Sequence, residues 1–174
     1  YGCVSIEELH PIDLNEAPDL TINGVTAACE NSSIELSVSS SKESDKSPIY
    51  WTDDLYENTN PTKVDGVRKV TVNGNGDQTF TAKITYNGCT TTKDHTVTIN
   101  SNPDITLSSV NGKDYVCQSA TTGLQLKVND LKGGVTKYVW NINDNSQATN
   151  TIMPTNNPTK VIVTAYNKNN CYDT

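Results

Sequence analysis

The sequence repeats itself at a distance of about 85 residues, and this repeat constrains the fold more than any other feature. Segment 18–22, Pro-Asp-Leu-Thr-Ile, returns as Pro-Asp-Ile-Thr-Leu in segment 103–107, and Trp51 returns as Trp140. A chain that carries one pattern twice is read as a tandem array, in which each residue is interpreted together with its twin. The repeat favours a passive structural protein over an enzyme, because every landmark occurs twice.

The period also predicts where the units begin and end. Tyr1-Gly2-Cys3 matches Tyr86-Asn87-Gly88-Cys89, and His10 and Asn15 lie 85 positions before His95 and Asn100. We therefore expect residues 1–16 to be the last strand of a preceding repeat. Residues 17–101 are expected to form a complete repeat, and residues 102–174 a second repeat that lacks its last strand.

Alternation of apolar and polar residues predicts that both repeats are built from β-strands. Ile34, Leu36 and Val38 alternate with polar residues, as a half-buried strand does. The same pattern occurs at Leu124, Leu126 and Val128 in the second repeat, and at Phe80, Ala82, Ile84 and Tyr86 before an Asn-Gly hairpin turn. About seven short strands per 85 residues predict an all-β fold of tandem immunoglobulin-like β-sandwiches arranged end to end. A barrel is the structural alternative.

Composition and charge exclude several classes of function. The net charge is −7 and the pI about 4.7, so a phosphate backbone is repelled and nucleic-acid binding is disfavoured. No apolar run approaches the roughly 20 residues that span a bilayer, so we expect no membrane insertion of this segment. Five cysteines without a Cys-x-x-Cys pair point to disulfides in an oxidising, extracellular compartment.

Two disulfide arrangements follow from the cysteine positions. Sequence order suggests Cys29–Cys89 and Cys117–Cys171 within the repeats. However, Cys29 precedes the second strand and Cys89 follows the sixth, which runs in the same direction, so these two are expected at opposite ends of a sandwich. A strand spans about 20 Å, whereas bridged Cα atoms lie within about 7 Å. We therefore favour an inter-repeat bond between Cys29 and Cys171, with Cys3, Cys89 and Cys117 paired to repeats outside this sequence; free thiols are the remaining alternative.

The aromatic landmarks are interpreted as core residues. Trp51 and Trp140 lie in apolar strands at the position where sandwiches keep a core tryptophan, and Tyr86 and Tyr166 precede the cysteine hairpins. The alternative for the two tryptophans is a sugar-stacking platform, as in carbohydrate-binding modules. Tyr56 and Tyr115 are the better candidates for exposed contacts.

Catalysis and cofactor binding find little support in the sequence. The two histidines, His10 and His95, occupy equivalent positions one repeat apart, so they are not expected to share a site. Cysteine catalysis needs a histidine beside the thiol, and no cysteine has a histidine within five positions of it in sequence. We expect no enzyme activity and no cofactor. Calcium is the one metal considered, because oxygen-rich loops at the end of a sandwich can bind it; the candidate segments are Asp53-Asp54, Asn143-Asp144 and Asn73–Asp77.

Taken in order, Cys29, Trp51, Tyr86 and Gly88-Cys89 resemble the PKD-like or Ig-like repeats of giant Bacteroidota cell-surface proteins, including gliding-motility adhesins. Cys117, Trp140, Tyr166 and Cys171 repeat that order, although Asn170 stands where the first repeat has Gly88. Neither repeat has the Gly-Asp-Gly loop of true PKD domains.

The resemblance implies a function. It implies export by the type IX secretion system and display as long filaments at the cell surface, where these repeats form a rigid, non-catalytic shaft in surface attachment and gliding. The implied partners are neighbouring repeats of the same chain and, through the full-length protein, an extracellular surface or polysaccharide. The alternative is a spacer or carbohydrate-binding domain of a secreted polysaccharide-degrading enzyme.

Overall fold

A computed structural model describes residues 14–52, 67–143, 145–153 and 159–174. Within these ranges the chain forms thirteen strands and no helix. The first seven are β1 (Thr21–Gly24), β2 (Ala27–Cys29), β3 (Ser33–Ser39), β4 (Ile49–Trp51), β5 (Val67–Thr71), β6 (Gly76–Tyr86) and β7 (Cys89–Asn100). The other six are β8 (Ile105–Ser109), β9 (Leu124–Asp130), β10 (Val135–Trp140), β11 (Thr149–Ile152), β12 (Val163–Asn167) and β13 (Tyr172–Asp173).

The strands form four sheets whose order repeats along the chain. Strands β1–β7 make a three-stranded sheet, β1-β3-β5, and a four-stranded sheet, β2-β7-β6-β4. Strands β8–β13 make two three-stranded sheets, β11-β9-β8 and β10-β12-β13. Apart from the short strand β2, each half thus places its first, second and fourth strands in one sheet and its third, fifth and sixth in the other, which is the immunoglobulin-like order. The predicted all-β, immunoglobulin-like fold class is confirmed.

The chain divides into two compact units, and their boundaries differ from those of the sequence repeat. One unit contains the described residues within Tyr1–Val25, Glu35–Lys69 and Thr79–Thr96, and the other contains Thr26–Ile34, Val70–Gln78 and Val97–Thr174. The second unit thus includes three segments of the first repeat, tied to it by a disulfide and by hydrogen bonds described below. The boundaries 1–16, 17–101 and 102–174 stay a prediction, and residues 1–13 lie outside the described part of the chain.

Period-two alternation determines which side chains are buried. In β3, Ile34, Leu36 and Val38 are buried while their neighbours are half-buried or exposed. Strand β9 repeats the pattern with Leu124, Leu126 and Val128. The buried hydrophobic residues of β1–β7 and their connections are Leu20, Ile34, Leu36, Val38, Trp51, Val72, Phe80, Ala82, Ile84, Val97 and Ile99. Leu124, Leu126, Val128, Trp140 and Val163 form the second core cluster.

In strand β5 the buried residue is an arginine, and the valine before it is exposed. Val67 is 44% exposed, whereas Arg68 is only 7% exposed. The Arg68 guanidinium carbon lies 5.7 Å from the centroid of the Trp51 ring and 5.3 Å from that of Phe80. A guanidinium at such distances from aromatic rings gains cation–π attraction, while its aliphatic stem packs as an apolar chain. An arginine therefore occupies a core position in this strand.

Gly123, immediately before β9, packs against the neighbouring backbone too closely for any side chain. A Cβ added there overlaps the Ile152 carbonyl oxygen and would lie 2.6 Å from Thr151 Cγ2 and 3.0 Å from the Ile152 carbonyl carbon. We expect Gly123→Ala to lower the free energy of unfolding by about 1–3 kcal/mol, since backbone must shift to admit the methyl group. Urea denaturation measures the change. Thr122→Ala, at the exposed residue before it, is the matched control, with an expected change within about 0.5 kcal/mol; equal effects of the two variants would contradict the overlap.

Candidate functional site

A disulfide between Cys29 and Cys171 is the most informative local structure in the chain. The two Cα atoms are 5.5 Å apart and 142 residues apart in sequence. The bond joins the last residue of β2, in the first repeat, to the residue before β13, in the second. This is the pairing that the strand-direction argument favoured. Cys171 is completely buried and Cys29 is half-buried.

Pairing between β2 and β7 brings Cys29 to this place. The two strands are parallel, with Ala27 opposite Thr98 and Cys29 opposite Asn100. Cys89 begins β7 and Asn100 ends it, so the strand separates Cys89 from the position opposite Cys29 by about 35 Å. The alternative pairs, Cys29–Cys89 and Cys117–Cys171, are therefore not formed. Cys89 is half-buried and Cys117 exposed, and both are free thiols; Cys3 lies outside the described residues.

Asparagine side chains and backbone groups form a polar network around the disulfide. Asn102 Nδ2 donates to the Glu30 carbonyl at 3.1 Å, and the Glu30 N–H donates to the Asn100 carbonyl at 2.8 Å. Asn167 Nδ2 donates to the Ser101 carbonyl at 2.9 Å, and Asn169 Nδ2 donates to Asn100 Oδ1 at 2.8 Å. The connection 100–102 is thereby held by hydrogen bonds from both the turn after β2 and the turn after β12. We call this set of contacts, with the disulfide, the junction.

The cysteine hairpins use left-handed backbone in both repeats. Asn87 has φ 46° and Gly88 has φ 81°, as the predicted Asn-Gly turn requires. Asn170 has φ 60°, so it adopts the conformation for which the first repeat uses glycine. Asparagine tolerates this region better than other side chains. The substitution of Asn170 for Gly88 therefore preserves the backbone that presents the cysteine.

The two tryptophans are buried and offer no face to a sugar. Trp51 and Trp140 are each 6% exposed. The indole Nε1–H of Trp140 donates to the Gln147 carbonyl at 2.9 Å, which satisfies its one polar group inside the second core. A stacking platform needs an accessible ring, so these two rings act in packing.

The tyrosines Tyr86 and Tyr166 require a correction, because they are half-buried and not core residues. Tyr86 is the last residue of β6, and Tyr166 the next to last of β12, so both lie where their strands run out into hairpins. The Lys42 ammonium lies 5.6 Å from the Tyr86 ring centroid and that of Lys137 5.3 Å from the Tyr166 ring centroid. Each tyrosine ring thus makes a cation–π contact with a lysine at the edge of its sandwich.

Among the residues considered for metal or acid–base chemistry, the described ones take part in local hydrogen bonds. The His95 ring nitrogen Nε2 lies 2.9 Å from the Val25 carbonyl. Asp77 accepts from Thr98 Oγ1 at 2.7 Å, and Gly74 and Gly76 have positive φ, which fits a turn at 73–77. Asn143 Nδ2 donates to the Thr151 carbonyl. Within the described ranges no three His, Cys, Asp or Glu side chains converge as metal ligands would; His10, Asp53, Asp54, Tyr56 and Asp144 lie outside them.

A shallow polar groove of about 450 Å³ adjoins the junction. Asparagines and glycines supply most of its lining, together with Lys168, and no aromatic ring lines it. Tyr115, the exposed-contact candidate, is 67% exposed but does not line this groove. The groove therefore lacks the stacking surface that a sugar-binding module would supply.

Comparison with known proteins gives similarity at the level of architecture only. No protein-family profile matches the chain, and no curated protein matches it. Fibronectin(III)-like modules of Clostridium thermocellum CbhA are similar at 14% identity and TM-score 0.40, over 90% of both chains. The ICAM-5 D1–D4 ectodomain fragment is similar at 15% identity and TM-score 0.46, over 86% of this chain and 42% of the other. Titin domains z1z2 in complex with telethonin are similar at 17% identity and TM-score 0.37, over 76% and 72%. The assignment of the fold above depends on strand order and not on these similarities.

None of the described segments forms a helix with the length and apolar character needed to cross a bilayer.

Proposed function

We propose that this chain is a shaft segment of a long cell-surface adhesin filament. In this role the repeats are rigid, non-catalytic spacers that hold an adhesive part of the protein away from the cell. The observation that carries the proposal is the Cys29–Cys171 bond, which joins one repeat covalently to the next. Such a bond would restrain a freely hinged linker, whereas it helps a shaft to keep its form.

Three further observations support the same function. The connection between the repeats is short and held by hydrogen bonds from Asn102, Asn167 and Asn169, which opposes hinge motion at this point. The aromatic side chains that could have formed a sugar site, Trp51 and Trp140, are used in packing. A net charge of −7 keeps the surface soluble and discourages self-association along the sides of a filament.

The resemblance of the sequence to the repeats of giant Bacteroidota surface proteins suggests the more specific role. In particular, the order of Cys, Trp, Tyr and Cys resembles the repeat region of the gliding-motility adhesin SprB. The proposal therefore includes export by the type IX secretion system, display on the outer surface, and movement of the filament during gliding. The neighbouring repeats are the direct partners, and the full-length protein contacts the substratum or its polysaccharides.

Fluorescence tracking on living source cells tests this role. Cells are labelled with an antibody fragment raised against residues 18–174, and we expect labelled spots that travel along the cell surface. Fragments of an antibody against an immobile outer-surface protein of the same cells serve as the control for membrane flow. Static spots would contradict a role in gliding and leave a fixed adhesin. Label confined to the medium would contradict the filament and favour the spacer of a secreted polysaccharide-degrading enzyme.

A further inference from the structure

Among the described residues, the two free cysteines, Cys89 and Cys117, occupy the positions of the two bridged cysteines, one repeat away. Cys29 and Cys117 both lie after the first strand of a repeat, β1 or β8, and before the strand with alternating core residues, β3 or β9. Cys29 ends the short strand β2, whereas Cys117 lies in no strand. Each also begins a turn, since the Ser32 N–H donates to the Cys29 carbonyl at 3.1 Å and the Ala120 N–H donates to the Cys117 carbonyl at 2.9 Å. Cys117 thus repeats the position of Cys29 at the start of a four-residue turn, although Asn31 in the turn of Cys29 has φ 63° and no residue in the turn of Cys117 has positive φ.

Cys89 likewise repeats the surroundings of Cys171. Both follow a hairpin that ends in a residue with positive φ, Gly88 or Asn170. The Sγ atom of Cys171 lies 3.8 Å from the Asn100 carbonyl oxygen, and that of Cys89 lies 3.5 Å from the Asn15 carbonyl oxygen. Asn15 and Asn100 are the same position of the repeat. The segment that leads into the first repeat thus contacts Cys89 as the segment 100–102 contacts Cys171.

We propose that Cys89 and Cys117 are two halves of a second joint of the Cys29–Cys171 type, and that the partner of each is another repeat of this kind. The inference rests on the proposed function and deepens it, because it names the surfaces through which segments of the shaft join. Cys89 bonds to the Cys29-type cysteine of a preceding repeat, and Cys117 to the Cys171-type cysteine of a following one. Two copies of this chain therefore carry complementary halves and join head to tail, through Cys117 of one and Cys89 of the other.

The bond forms by thiol–disulfide exchange with a small-molecule disulfide such as oxidised glutathione. The Cys117 thiolate, after losing its proton to solvent, attacks one glutathione sulfur, forms a mixed disulfide and releases one glutathione thiolate. The Cys89 thiolate of a second copy then attacks the Cys117 sulfur and releases the second glutathione. Two protein thiols are oxidised and one glutathione disulfide is reduced to two thiols. Because this interface is heterologous, its repetition produces open chains of copies.

The test uses the 174-residue chain with Cys3→Ser, so that only Cys89 and Cys117 are free, in a glutathione redox buffer at high protein concentration. Peptide mapping under non-reducing conditions first verifies that Cys29–Cys171 is intact, and then counts the linked peptides. We expect a ladder of dimers, trimers and longer chains, with the Cys89–Cys117 peptide in several-fold excess over Cys89–Cys89 and Cys117–Cys117. The proposal would be overturned if the Cys89–Cys117 peptide were no more abundant than random pairing of the two thiols predicts.

A displaced cysteine provides the matched control. The variant Cys117→Ser/Ser119→Cys keeps one thiol on the same exposed segment, two residues from the position of the joint. We expect cross-linking to Cys89 to be several-fold slower in this variant, because the thiol no longer lies at the start of the turn that Cys117 begins. If the variant and the chain with Cys117 cross-linked at equal rates, random collision of exposed thiols would explain the bond, and the proposal would be overturned. These outcomes concern purified protein only, so they are independent of the tracking experiment on cells.

Discussion

Removal of the Cys29–Cys171 bond is expected to lower the free energy of unfolding by about 2–5 kcal/mol, the range usual for native disulfides in small extracellular domains. The bond closes a covalent loop across 142 residues of sequence separation. A loop of this length restricts the unfolded chain by about 5 kcal/mol in the chain-entropy treatment. The bond has this full effect on the free energy of unfolding only if both repeats unfold together. If each repeat unfolds separately, the bond restricts the unfolded chain less.

The measurement compares urea denaturation of the native protein with that of Cys29→Ala/Cys171→Ala. Alanine is preferred to serine because Cys171 is completely buried, and a hydroxyl there would add an unrelated cost. Cys89→Ala is the matched control, since it removes a free thiol and leaves the bond, and we expect a change within about 0.5 kcal/mol. An unchanged midpoint in the double variant would mean that the junction is held by its hydrogen bonds alone.

The second large effect is expected from Trp140→Ala, at about 3–5 kcal/mol. Trp140 packs in the cluster of Leu124, Leu126, Val128 and Val163, and its truncation leaves a cavity among strands β9, β10 and β12. The loss also leaves the Gln147 carbonyl without the indole donor. Both costs fall on the second repeat.

Thermal unfolding followed by far-UV circular dichroism measures this effect, and Trp140→Phe separates its two causes. Phenylalanine keeps an aromatic ring in the cavity but donates no hydrogen bond, so we expect this variant to lose only about 1–2 kcal/mol. The sugar-platform interpretation predicts the opposite pattern. Unchanged unfolding together with lost glycan binding in Trp140→Ala would contradict a role in the core.

The strands of this fold could be predicted because their apolar side chains alternate with polar ones. Ile34, Leu36 and Val38 are buried as expected, and so are Phe80, Ala82 and Ile84, because each of these segments has one face in a core and one in water. Strand direction, combined with the geometric limit on a disulfide, was enough to favour Cys29–Cys171 over the pairs suggested by sequence order.

Other features could not be obtained from pattern alone. Strand β2 has three residues, too few to show alternation, yet its parallel pairing with β7 determines where Cys29 lies. The burial of Arg68 escaped prediction because its favourable contacts, the rings of Trp51 and Phe80, come from other strands. Tyr86 continues the alternation of β6, and the Asn-Gly turn marks the end of the strand, but neither signal reveals that the ring at that end is only half-buried.

The Cys29–Cys171 bond also determines the path of a mechanical load along the chain. A pulling force applied before residue 29 and after residue 171 passes through the sulfur–sulfur link, because the polypeptide between the two cysteines forms a parallel branch. Strands β3 to β12 lie within that branch and carry no extension while the bond is intact. Unfolding them therefore releases none of the roughly 480 Å of contour length that they and their connections contain. Between these two cysteines, tensile strength is a property of a covalent bond, and strands β3 to β12 do not have to supply it.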